Sequence, residues 1–138
     1  IILEYANEIS LDQNMEVLII IAHGPVETDD NDKQLKLMNN IGQYILDNSN
    51  FFDVEAFTLQ DDAPKKVREQ NVASIKTFIE KSNKEGKRVL MVSNLMSGKG
   101  IQKSIESDFD GLSYTFNSKG LLAHPLFKEW IIESIQSQ

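Results

Sequence analysis

Apolar residues fall along this chain in two alternating rhythms. Val17-Leu-Ile-Ile-Ile21 and Val89-Leu-Met-Val92 are continuous runs with no polar alternation, the pattern of a strand covered on both faces. Between and after them come longer stretches with apolar positions three or four apart, which read as helices burying one stripe. The predicted order is a strand over 16–22, a helix over 30–47 and a strand over 54–59. A helix ending near Lys84 follows, then a strand over 88–93, a helix over 101–107 and a strand over 112–116. A last helix starts at Pro125 and runs through Trp130 to Ile135. The first long helix places Leu35, Met38, Ile41 and Ile45 on one face, and the second buries Val67, Val72, Ile75 and Ile79.

Punctuation residues agree with these limits. Asp29 or Asp30 offers a capping oxygen to the first long helix. Asp61-Asp62-Ala63-Pro64 reads as a cap followed by proline in the first turn of the second. Gly86 ends that helix by accepting a left-handed conformation. Four strand–helix units with short connections favour a parallel sheet, since each right-handed crossover returns the chain in the same direction. The expected architecture is a three-layer α/β domain of flavodoxin-like type, its four-stranded parallel sheet in the order 2-1-3-4. Residues 1–14 read as an N-terminal extension docking loosely as a short helix, and residues 15–138 as a single domain. In such a sheet the ligand crevice lies beyond the carboxyl ends of the strands, where the strand order reverses.

Composition then narrows the function classes. A chain of 138 residues with 41% hydrophobic and 25% charged content suits one globular core. The net charge of −7 argues against a general nucleic-acid binder. No apolar run approaches the ~20 residues that span a bilayer. The absence of cysteine removes disulfides, thiolate metal sites and thiol nucleophiles, and leaves the compartment undetermined.

Candidate chemistry gathers on the expected rim. His23-Gly24 ends the first strand, so an imidazole stands where open α/β sheets bind ligands, able to act on a proton or ligate a metal. The alternative is a rim histidine that only hydrogen-bonds a neighbouring carbonyl. His124, in Ala-His-Pro before the last helix, has the same two readings, metal ligand or helix-start packing group. Asn94 and Ser97-Gly98-Lys99-Gly100 follow the third strand and read either as an anion-binding nest or as a plain tight turn. Lys103 and Lys119 flank the same edge, while Glu27, Asp29, Asp30 and Asp32 form a solvated helix start. Other templates are missing. There is no Gly-x-Ser-x-Gly, no Walker loop and no Gly-x-Gly-x-x-Gly, hence no nucleotide cofactor. Ala22 precedes His-Gly where the histidine phosphatases carry arginine.

Together these segments resemble a known family. Val-Leu-Ile-Ile-Ile-Ala-His-Gly at 17–24 is similar to the first-strand signature of the class II tetrapyrrole chelatases, the CbiX-type sirohydrochlorin cobaltochelatases and their ferrochelatase relatives. Gly120-Leu-Leu-Ala-His124-Pro125-Leu resembles the family's closing Leu-Gly-x-His-Pro-x-Leu, and Asn94-Leu-Met-Ser-Gly-Lys-Gly100-Ile-Gln102 its loop Pro-Leu-x-Leu-x-x-Gly-x-His. The resemblance spans 15–135. It implies a chelatase-like fold and, if active, a metallochelatase lyase inserting cobalt, nickel or iron, as substrate, into a sirohydrochlorin-type tetrapyrrole. It further implies a homodimer and a cytoplasmic setting. His23 would be metal ligand and proton acceptor, and Lys99, Lys103 and Lys119 would meet the macrocycle's carboxylates. Position 102 holds glutamine where the family has its second metal histidine, and Pro25 stands where the family has serine; His124 matches a different family histidine. The chain thus reads as a divergent member. Two other functions stay open: a non-catalytic tetrapyrrole or metal-binding protein on the same fold, and an enzyme or binder for a small anion at Ser97–Gly100.

Overall fold

A computed structural model describes residues 2–24, 27–60, 63–93, 105–117 and 119. Its elements are α1 (Ile2–Ile9), a 3-10 turn (Gln13–Met15), β1 (Glu16–Ala22), α2 (Thr28–Asp47), β2 (Asp53–Thr58), α3 (Lys65–Lys84), β3 (Arg88–Ser93) and β4 (Thr115–Asn117). The four strands form one sheet in the order β2-β1-β3-β4, and every pairing is parallel. This is the expected flavodoxin-like α/β architecture. The last predicted helix and residues 101–104 of the third lie outside the described residues; 105–108 are helical.

All seven residues of β1 are buried, and its side chains sort by parity. Leu18, Ile20 and Ala22 join Leu90, Val92 and Val54 under α1 and α2, with Met38 and Ile45 packed onto them. Val17, Ile19 and Ile21 join Val89 and Met91 under α3, with Val72, Ile75, Ile79, Ile105 and Phe109. Alternate residues of a strand point to opposite faces, so a strand that is apolar at every position requires a helical layer on each side. Of the predicted stripes, Met38, Ile45, Val72, Ile75 and Ile79 are buried, while Leu35, Ile41 and Val67 sit at the half-buried margins.

Four boundaries differ from the sequence reading, each for a local reason. The first long helix begins at Thr28, because the Asn31 N–H already closes a helical bond on the Glu27 carbonyl. β2 spans Asp53–Thr58, one residue earlier than expected. Pro64 precedes the first turn of α3 rather than lying in it, with ψ 142° and its carbonyl accepting from the Arg68 N–H. β4 starts at Thr115 because Gly111, at φ 82°, and the Leu112 N–H bound to the Phe109 carbonyl keep the chain turning through 112.

The N-terminal segment is also more than a loose appendage. Ile2, Tyr5, Ala6 and Ile9 fall at helical spacing, and Ile2, Tyr5 and Ala6 are buried in the α2-side core. Polar ties fix this helix to the sheet. The buried Asn117 amide donates to the Tyr5 carbonyl (3.0 Å) and to the Glu8 carboxylate (2.9 Å).

At the amino edge of the sheet, Glu16 is 1% exposed yet fully engaged. Its carboxylate accepts from Arg88 Nη1 (2.8 Å), from the Leu11 N–H (3.0 Å) and from the Ser10 hydroxyl. Arg88, its register partner on β3, also donates to the Ile9 carbonyl and to Thr115 Oγ1. One ion pair, buried on its carboxylate side, therefore joins β1, β3, β4 and the end of α1. Burial alone would raise the Glu16 pKa, but the hydrogen bonds from Leu11, Ser10 and Arg88 outweigh it and hold the carboxyl below its ordinary 4.5. A depressed carboxylate stabilises the fold above its unfolded pKa and loses that contribution as pH falls through the folded value. Glu16→Gln should thus cost about 2 kcal/mol at pH 7. Urea midpoints of wild type and variant, measured from pH 7 down to pH 3, should converge as the native carboxyl becomes protonated.

Candidate functional site

Because β1 is sealed on both faces, its first exposed side chain is the one that leaves the sheet. That residue is His23, and its imidazole is exposed. β1 pairs with β2 on one side and β3 on the other, so His23 stands where successive strands diverge, the usual crevice position of an open parallel sheet. Ser93, the end of β3, pairs with Ile21 two residues below it.

The backbone beneath the imidazole is tightly held. The Leu59 N–H donates to the Ala22 carbonyl (3.0 Å), and the Gln60 N–H donates to the His23 carbonyl. Gly24 follows at φ 76°, and the space a side chain would need there is taken. A Cβ would lie 2.7 Å from Asn31 Oδ1, 2.8 Å from Thr58 Cβ and 3.2 Å from Gln60 Cγ. The His-Gly pair is thus a packing requirement as well as a chemical signature: glycine allows the left-handed turn and admits Asn31 and Thr58 beneath it.

Asn31, Thr58 and Gln60 are all buried polar residues, and the sequence reading picked out none of them. Asn31 Oδ1 and Thr58 Oγ1 are buried without a hydrogen-bond partner. Gln60 has φ 53°, the one non-glycine positive φ among the described residues. Its side-chain oxygen accepts from Asn71 Nδ2 (3.0 Å), which also donates to the Leu59 carbonyl (3.1 Å). One signal was available for Asn31, which lies seven residues before Met38 and fourteen before Ile45, on the same helical stripe. Nothing in the sequence marks Gln60.

Lys119 reaches the same rim through its backbone, where its carbonyl accepts from Ser93 Oγ (3.1 Å). Its ammonium turns back to Glu8 on α1 (2.9 and 3.1 Å) and lies 5.9 Å from the centre of the Tyr5 ring. This cation is therefore partnered by a carboxylate of the N-terminal helix. Burial raises the Tyr5 pKa, with the Lys119 charge acting in the opposite sense. Asn94, Ser97, Gly98, Lys99, Gly100, Gln102, Lys103 and His124, like Pro25, lie outside the described residues. Among the described residues no group of three or more His, Asp or Glu is placed to hold a metal ion, and no helix is long and apolar enough to cross a membrane.

Fold and rim together define an open, doubly wound α/β domain with a single imidazole at the end of its central strand. Comparison of the chain with protein-family models, curated proteins and solved structures found no match.

Two substitutions test the packing under His23, and they point in opposite directions. Gly24→Ala should destabilise by about 2–4 kcal/mol, combining a left-handed backbone with a clash at the rigid Thr58 Cβ. Thr58→Val should be neutral or stabilising by up to about 1 kcal/mol, since it removes a buried hydroxyl that has no partner while keeping the shape. Chemical denaturation of both variants, with far-UV circular dichroism as the probe, reads the two signs.

Proposed function

We propose that this protein is a divergent metallochelatase that places a divalent metal, cobalt or one like it, into a sirohydrochlorin-type tetrapyrrole. The carrying observation is the exposed His23 imidazole at the carboxyl end of a strand with no other exposed residue. The sequence resemblance of residues 17–24 to the chelatase first-strand signature gives that imidazole its chemistry.

Metal insertion needs a donor that captures the ion and then releases it. A site with three or four fixed protein ligands would compete with the macrocycle, whereas a site with few protein ligands, His23 among them, leaves coordination positions to water and then to pyrrole nitrogens. The same group, once free of the metal, is basic enough to accept a proton from a pyrrole N–H as the nitrogen takes up the ion. The chain's own contribution is thus to present an imidazole at the carboxyl end of its central strand. Lysines on that rim would meet the peripheral carboxylates; Lys119 does so by exchanging Glu8 for a ligand carboxylate, an exchange between two exposed ion pairs that costs little.

A second reading rests on a specific residue. Gln102 stands where the resembled family has its second metal histidine, and an amide is a poor ligand for these ions. On that reading the crevice still takes the tetrapyrrole and does not metallate it. Incubation of the protein with sirohydrochlorin and Co²⁺ separates the two. A metal-dependent change of the absorption spectrum, faster than the uncatalysed reaction and lost in His23→Ala, is the expected result. Binding of the tetrapyrrole with no acceleration would leave the carrier reading. Absence of both tetrapyrrole and metal binding would sink both.

A further inference from the structure

We infer that Gln60 is a positioning residue for His23, acting through its left-handed backbone rather than through its side-chain chemistry. The inference rests on the reading that the His23 imidazole is the working group.

The argument begins with what holds His23 in place. It is the first residue beyond the sheet, so the regular strand ladder no longer fixes its backbone. The bond that replaces the ladder comes from Gln60, whose N–H donates to the His23 carbonyl. Directly after that bond the chain turns at Gln60. At φ 53° its own carbonyl leaves the direction of β2 and accepts from the Ala63 N–H (3.0 Å), starting the approach to α3. The left-handed region costs a non-glycine residue about 1 kcal/mol or more, and such costs persist where surrounding structure imposes them. Here the imposing contacts are visible. The side chain is 3% exposed, its oxygen is held by Asn71 on α3, and its Cγ packs over Gly24. Asn71 also holds the preceding carbonyl, so residues 59 and 60 are anchored to α3 together.

The result is a relay of fixed backbone from α3 through Asn71 and Gln60 to His23. Partners behind a metal ligand typically contribute ten- to a hundredfold in affinity.

The test compares substitutions that all delete the Gln60 side chain but differ in backbone preference. Glycine takes positive φ at no cost and asparagine takes it readily, whereas alanine resists it. In the full-length chain, Gln60→Gly, Gln60→Asn and Gln60→Ala are measured for the ring ¹⁵N resonances of His23, assigned with His23→Ala, and for Co²⁺ affinity. All three should lower stability, since each disturbs the bond with Asn71. Only Gln60→Ala should displace the His23 ring resonances and weaken Co²⁺ binding, by about tenfold. Equal perturbation by the glycine and alanine variants, or none by either, would overturn the inference. Should Gln60→Ala not fold, Asn71→Ala gives the same decision: it should shift the His23 ring, and adding Gln60→Gly should restore it, while no shift or no rescue counts against. The ring resonances are read without metal. Wild type that binds no Co²⁺ would therefore defeat the chelatase reading and still leave the role of Gln60 to be decided.

Discussion

The structure depends on β1 having no exposed residue. A strand whose every side chain is buried, and apolar from Val17 to Ala22, must be central, must be paired on both edges and must be covered on both faces. Each of those demands is met by a different part of the chain: β2 and β3 at the edges, α1 and α2 on one face, α3 and the 105–109 segment on the other. The same constraint determines where this strand can meet a ligand. A sealed strand meets solvent only at its ends, and its carboxyl end carries His23.

The two ends of the sheet are finished in opposite ways. At the amino edge, Glu16 and Arg88 form a closed network in which the buried carboxylate accepts from Arg88, Ser10 and the Leu11 N–H and the guanidinium is shared among two strands and a helix end. That is the arrangement expected of a structural ion pair, since an unpartnered buried charge would be costly. At the carboxyl edge, two buried polar atoms lack partners, a glutamine adopts a left-handed conformation and a glycine is pressed between side chains. Unsatisfied groups and backbone strain are tolerated where surrounding packing holds them, and they concentrate at sites that bind or react. The contrast between the two edges supports a working role for the His23 rim without depending on any one ligand.

α1 gives this asymmetry a further element. By burying Tyr5 and Ala6 and by binding Asn117 and Lys119, it seals the side of the short edge strand β4 and sets the charge seen there. The carboxylate of Glu8 occupies the lysine that sequence reading had assigned to an anionic guest. N-terminal docking and rim electrostatics are therefore coupled through one side chain.

Much of the fold was legible because it rests on local rules. Continuous apolar runs, 3.6-residue stripes and the Gly86 stop located β1, β3, α2 and α3 to within a residue or two; right-handed crossovers implied a parallel sheet, and the flavodoxin-like pattern its strand order. The position of His23 was equally legible, since it follows from a run ending. What the sequence could not show is how polar residues distant along the chain meet. Glu16 with Arg88, Asn117 with Tyr5 and Glu8, and Asn71 with Gln60 are pairings across strands and helices, set by register and packing rather than by neighbouring residues. Gln60 is the sharpest case. Its type carries no preference for a left-handed turn, so its conformation exists only because β2, α3 and Gly24 converge on it. Sequence alone determined which strand is central and which imidazole stands at its end; tertiary contacts decided what holds the backbone beneath that imidazole, because strain and hydrogen-bond partnership are properties of converging elements and not of any one segment.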